Sequence, residues 1–133
     1  MTRVLIFGLV LVSALSAGGS SASAQTRRLN AVMRSKLEHS KNVLEGVVTS
    51  NWVLLERESR ALVAVTKDPS WTVLAMPEYV QQSLGFIRAT EDLLAAAKQR
   101  DLEAASKGFV ALSTSCVTCH QYLARSRVAE RRP

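Results

Sequence analysis

Residues 33–51 read MRSKLEHSKNVLEGVVTSN. Met33, Leu37, Ser40, Leu44, Val47 and Asn51 fall at alternating steps of four and three residues, the spacing of one helical face and of a bundle seam. Arg34, Lys36, Glu38, Lys41 and Glu45 take the other faces. The stretch therefore predicts an amphipathic helix with its charged side in water. Thr26 is a candidate cap for its start, and the cluster of Thr49, Ser50 and Asn51 offers a break or a second cap. Two separate helices and one bent helix both fit that cluster.

Three further helical segments follow. Trp52 to Thr66 carries Val53, Leu54, Leu62, Val63 and Val65 and stops at Asp68, because the residue before a proline avoids helical dihedrals. Asp68 to Met76 reads as a loop with Trp71 as its buried anchor. Pro77 suits a first helical turn, and Pro77 to Gln99 places Tyr79, Ser83, Phe86, Thr90, Leu93 and Ala97 on one face. Asp101 is an N-cap for a last helix, along which Phe109, Leu112, Cys116, Cys119 and Leu123 continue the stripe. Arg125 to Pro133 reads as a frayed tail. No period-2 stretch of useful length occurs. The expected fold is all-α, an antiparallel up-down-up-down four-helix bundle. With 133 residues, 47% apolar content, two cysteines and three prolines, the chain is one domain's worth, which excludes a multidomain enzyme, a disulfide-stapled mini-protein and a low-complexity chain. Aromatic residues are few, at 5%, so a bundle of this kind has room for something large and apolar between its helices.

The first 24 residues have a different character. Arg3 is followed by an apolar run from Val4 to Val12 and then by small residues ending at Ala22, Ser23 and Ala24. This is the pattern of an export signal cleaved before Gln25. The run falls short of the roughly 20 residues that cross a bilayer. The expected domains are a signal peptide, 1–24, and a bundle, 25–133, that is exported to the periplasm and does not span a membrane.

Cys116-Val117-Thr118-Cys119-His120 is C-x-x-C-H, the c-type haem attachment signature. Two thiols three residues apart meet the two vinyl groups on one porphyrin edge and form thioethers, and a histidine one helical turn beyond Cys116 reaches the iron from the proximal side. Attachment takes place after export, so motif and signal support one another. Other readings of the pair have less to stand on. A thioredoxin-like site needs a βαβ context. A zinc clip needs four ligands, and the two cysteines, His120 and His39 are the whole inventory. A disulfide between Cys116 and Cys119 closes a very tight loop.

A signal peptide, four helices and a C-terminal C-x-x-C-H resemble the class II cytochromes c, that is cytochrome c′ and its six-coordinate relatives such as cytochrome c-556. The resemblance covers the whole chain after residue 24 in architecture and is specific at Cys116 to His120. It implies one covalent haem c between the helices, edge-on to the last one, and a homodimer through the first two helices. It also poses the choice of distal ligand. Met33 on the iron gives His/Met coordination and an electron carrier. Leu37 over the iron gives a five-coordinate, guarded site for small gases such as nitric oxide or carbon monoxide.

Phe86 and Phe109 are further candidates for the haem pocket, since bundle cofactor sites use facing helices. Met76, at a loop–helix junction, is a poorer ligand than Met33. His39 points off the stripe, Val117 and Thr118 are spacers, and Tyr122 and Arg125 either pack on the porphyrin edge or lie in water. The formal charge of +6 does not indicate nucleic acid, because aromatic–basic interleaving is missing. It suits the steering of an acidic redox partner protein. No nucleophile constellation, acid/base dyad or phosphate loop appears, so the chain is not expected to be an enzyme. The leading expectation is single-electron transfer, with gas binding as the alternative and a non-haem bundle with a C-x-x-C disulfide or metal clip as the third.

Overall fold

The computed structural model describes residues 18–72 and 76–130. They form α1 (Gly18–Val48), α2 (Trp52–Val65), a short 3-10 turn (Pro69–Thr72), α3 (Pro77–Gln99) and α4 (Leu102–Glu130), with no strand among the described residues. Each helix packs on the next in sequence, and α1 closes the ring against α4 in the least extensive of the four contacts. The short links at 49–51 and 100–101 make α1/α2 and α3/α4 antiparallel pairs, and α2 packs on α3 across the longer 66–76 link, so the expected four-helix architecture is present. No helix among the described residues is long and apolar enough to cross a membrane.

The helix ends follow local chemistry. Asn51 accepts a hydrogen bond from the Leu54 backbone N–H at 3.1 Å, and Ser50 before it is left-handed at φ 50°. The Thr49–Asn51 cluster is therefore a turn between two helices, not a bend in one. Pro77 opens α3, and Asp101 accepts from Ala104 N–H at 2.9 Å at the head of α4. Arg100, left-handed at φ 55°, ends α3. Two expected ends differ. Thr26 lies inside α1, which runs unbroken through Ala24 and Gln25. The segment after Arg125 is not frayed at its start, because α4 continues to Glu130; alanine and arginine are strong helix formers.

The core is built from Val43, Val47, Leu55, Leu62, Phe86, Leu93, Leu112 and several alanines. On α3 and α4 it follows the predicted faces. On α1 the seam is rotated. Leu37 and Leu44 are 59% and 44% exposed, whereas Val32, Val43 and Val47 are buried. The true stripe runs 32, 36, 39, 43 and 46/47, and its middle positions hold Lys36 and His39. Polar residues on the seam disguised the period. On α2 the same happens: Leu55, Glu58, Ser59 and Leu62 face inward and Val53 is 78% exposed.

Glu58 can be buried because it is fully engaged. One carboxylate oxygen meets His39 Nδ1 at 2.7 Å and accepts from Asn42 Nδ2 at 3.3 Å, and the other accepts from Arg57 Nε at 2.7 Å. Burial by itself would raise this carboxyl, but the hydrogen bonds from His39, Arg57 and Asn42 outweigh it and hold the group below the usual carboxylate range. These contacts tie α1 to α2. Close approach does the rest. A Cβ on Gly46 would sit 3.0 Å from both Cβ and backbone N of Leu55, and one on Gly108 would sit 3.0 Å from Leu93 Cγ.

Gly46→Ala should cost about 1–3 kcal/mol in equilibrium unfolding, the scale of overpacking against a backbone that cannot move aside. A carboxyl whose folded pKa is depressed contributes stability above its unfolded pKa and loses it as pH falls through the folded value. The melting temperature should therefore drop as pH falls through and below the ordinary carboxylate range, and Glu58→Gln should remove part of that dependence while lowering stability at pH 7.

Candidate functional site

Cys116 and Cys119 are i and i+3 on α4, so their side chains stand on one face. Both are free thiols, partly buried. Their stripe continues Ala105, Gly108 and Leu112, which are buried against α3. The two thiols thus emerge where that packing gives way to an open cleft. Thr118, between them, donates to Gln82 Oε1 on α3 at 2.9 Å and holds this turn of α4 in place.

The cleft lies between α4, α3 and the first half of α1. It has an inner lobe of about 320 Å³ and an outer lobe of about 660 Å³, within the span of about 300–1,000 Å³ usual for small-molecule and cofactor sites. Met33, Lys36, Cys116 and His120 border both lobes. Cys119, Tyr79, Phe86 and Trp71 border the inner one, and Leu37, Arg34 and Val117 the outer one. Among the described residues, no aspartate or glutamate borders either lobe.

The floor is aromatic. The rings of Trp71 and Phe86 lie 5.2 Å apart at 39°. Trp71 is carried in by the 3-10 turn, whose start is fixed by the Asp68 side chain accepting from Ser70 N–H at 2.7 Å. Tyr79 then donates its hydroxyl to the Trp71 carbonyl at 2.5 Å. The Trp71 indole N–H is buried and has no hydrogen-bond partner among the described residues. Lys36, which the sequence pattern placed on a solvated face, instead lays its ammonium 4.0 Å from the Trp71 ring centre and 3.7 Å from that of Phe86. Burial pulls its pKa down to about 8, against the opposing influence of Cys116 and Cys119. Burial likewise pushes the Cys119 thiol up; Lys36 counters this and Cys116 adds to it. Burial, and then Cys119, raise the Tyr79 hydroxyl, while a hydrogen bond to Ser83 works the other way.

Of the residues singled out in the sequence, Cys116, Cys119, His120, Met33 and Phe86 meet at the cleft. Met33 is partly buried and reaches both lobes. Leu37 reaches only the outer one. Phe109 is not at the cleft; it packs against the core cluster on the other part of α4, because it precedes Leu112 by less than one turn, on the packed half of the helix. His39 is held by Glu58 and borders neither lobe, which removes the fourth ligand from the Cys2His2 alternative. Tyr122 donates to Met76 Sδ at 4.0 Å, so Met76 is occupied against α4, and Arg125 is exposed. Lys36, Tyr79 and the floor role of Trp71 were not singled out. The position of Lys36 on the stripe through residues 32, 39 and 43 is the signal that identifies it.

No family model matches the chain, and no curated protein or solved structure matches it either.

With its thiols free, the folded chain should be alkylated slowly at Cys119 at pH 8, the rate rising only above the ordinary thiol range. Lys36→Met should slow that reaction further, because Lys36 is the group that lowers the Cys119 pKa. Mass spectrometry of the alkylated peptide against pH reads both effects.

Proposed function

We propose that the cleft holds one covalently attached haem and that the protein is an exported carrier of single electrons. The observation that carries this reading is the convergence of Cys116, Cys119 and His120 from α4 with Met33 from α1 on one cofactor-sized cleft. The donor set suits the group. Two free thiols on one helical face supply two thioethers, an imidazole one turn on supplies a proximal ligand, and a thioether sulfur from the facing helix supplies a distal one. When bound, the haem supplies a one-electron iron couple, with a potential raised by His/Met ligation.

The residues divide the work. Cys116 and Cys119 fix the cofactor edge to α4. His120 from α4 and Met33 from α1 would be the side chains that hold the iron, and in doing so they would join α4 to α1. Phe86 and Trp71 keep water from the inner side. Met33 is favoured over an open, gas-binding site because it borders both lobes, whereas Leu37 is largely exposed and reaches only the outer one. The export pattern read at residues 1–24 supports a periplasmic location, where the protein would meet a redox partner protein. Leu44 and Val48 on α1 and Val53 on α2 form an exposed apolar face, which suits a homodimer through these two helices.

The matured protein should show a sharp low-spin reduced α band and an oxidised sulfur-to-iron band, and carbon monoxide should leave the spectrum unchanged. Met33→Leu should abolish the sulfur-to-iron band and open the iron to carbon monoxide. A wild-type protein that is high-spin and gas-sensitive would instead establish the five-coordinate alternative. A chain recovered without haem from a host that matures c-type cytochromes would overturn the reading. In the same preparation, Leu44→Lys should shift sedimentation from dimer to monomer.

A further inference from the structure

Lys36 is an expensive choice for its position. Its neighbours are two aromatic rings and two thiols, and burial disfavours its charged form. Among the described residues no ion pair to it occurs and no carboxylate lines the cleft it borders. A methionine or leucine would fill the slot over Trp71 and Phe86 without taking a charge out of water. The aromatic faces attract the ammonium and so let the charge persist there, but they do not neutralise it. What the position holds is a net positive charge, fixed by packing, next to the two cysteines of the proposed attachment site.

We propose that Lys36 is a positioning residue for charge: its ammonium biases the cleft toward the electron-loaded state and so raises the reduction potential of the site. The inference rests on the haem reading above. The reaction concerned adds one electron, delivered by a one-electron donor protein, and moves no other atom. A fixed positive charge lowers the energy of the site after that electron arrives and raises it after the electron leaves, and a partly desolvated charge does so more strongly than one in water. Among the described residues the lining provides no carboxylate to offset it, and the propionates that haem itself would bring are the same in every variant at position 36. Arg34, the other cation at the cleft, is exposed at the outer lobe, where solvent screens it.

The test is a charge series at one position in the matured protein: Lys36→Arg, Lys36→Gln, Lys36→Met and Lys36→Glu. Haem per chain and the absorption spectrum are measured first, then the midpoint by mediated redox titration. Lys36→Arg, which keeps the charge, should leave the midpoint near that of the wild type. Lys36→Gln and Lys36→Met should move the equilibrium with a fixed mediator toward the oxidised protein by about tenfold, the scale of one charge acting through a protein interior, and Lys36→Glu should move it further. Midpoints that follow side-chain size, or do not move, in variants with full haem and an unchanged spectrum would overturn the proposal. So would a loss of low-spin ligation in Lys36→Gln, which would make Lys36 a ligand. A wild-type protein without haem overturns the reading beneath it, an outcome that haem content alone identifies. If Lys36→Met does not fold, the comparison of Lys36→Arg with Lys36→Gln decides.

Discussion

Two close helix approaches organise the bundle. Gly46 lets α1 come against the backbone of α2 at Leu55, and Gly108 lets α4 come against Leu93 of α3. Each leaves no room for a β-carbon without displacement. The two tight pairs meet along α2 and α3, and the fourth side of the ring, α1 against α4, is left with the thinnest contact. A bundle of four similar helices could distribute its packing evenly. This one concentrates it, and the cleft is where the packing is missing. The side chains of the candidate site, Cys116, Cys119 and His120 on one wall and Met33 and Lys36 on the other, stand along that side.

Much of this was readable from residues. The faces of α3 and α4, the caps at Asn51, Asp101 and Pro77, and the burial of Trp71 all follow from rules that act within one or two turns, and those are visible in a sequence. The seams of α1 and α2 were misread for a common physical reason. Hydrophobic periodicity assumes that inward positions are apolar. Lys36, His39 and Glu58 face inward because partners distant in sequence satisfy or stabilise them: the Trp71 and Phe86 rings for Lys36, and His39 and Asn42 of α1, joined by the neighbouring Arg57, for Glu58; the buried Ser59 hydroxyl has no hydrogen-bond partner among the described residues. Apart from Arg57, these partners lie 16 to 50 residues away, and no local pattern announces them. The motif at 116–120 was legible because its spacing is local. Its opposite wall was legible only as far as Met33; Phe109 was misplaced because a stripe gives the face of a helix and not the point along it where packing ends.

The polar contacts also differ in purpose. The Glu58 cluster satisfies its members and joins α1 to α2, so its contribution is structural and it disappears in acid. Lys36 is held by rings that cannot accept its charge, in a cleft lined by no carboxylate among the described residues. The first arrangement balances charge and the second leaves it standing. That difference separates a packed polar contact from one that exerts a field on its surroundings.

The bundle is unequal from end to end. The tight turns at 49–51 and 100–101 close one end, and Val43, Gly46, Val47, Leu55, Leu93, Ala105 and Gly108 are gathered close to it. The cleft occupies the other end, where α1 begins, α4 finishes and the long α2–α3 link carries Trp71 inward. Proteins open locally at free energies that follow the density of buried contacts. Breathing at the cleft end therefore costs less than unravelling the turn end. For the proposed function this means that a bulky rigid guest would enter by the opening of half the bundle while the other half keeps the helices in register, so that loading would be a local event and not a refolding of the chain.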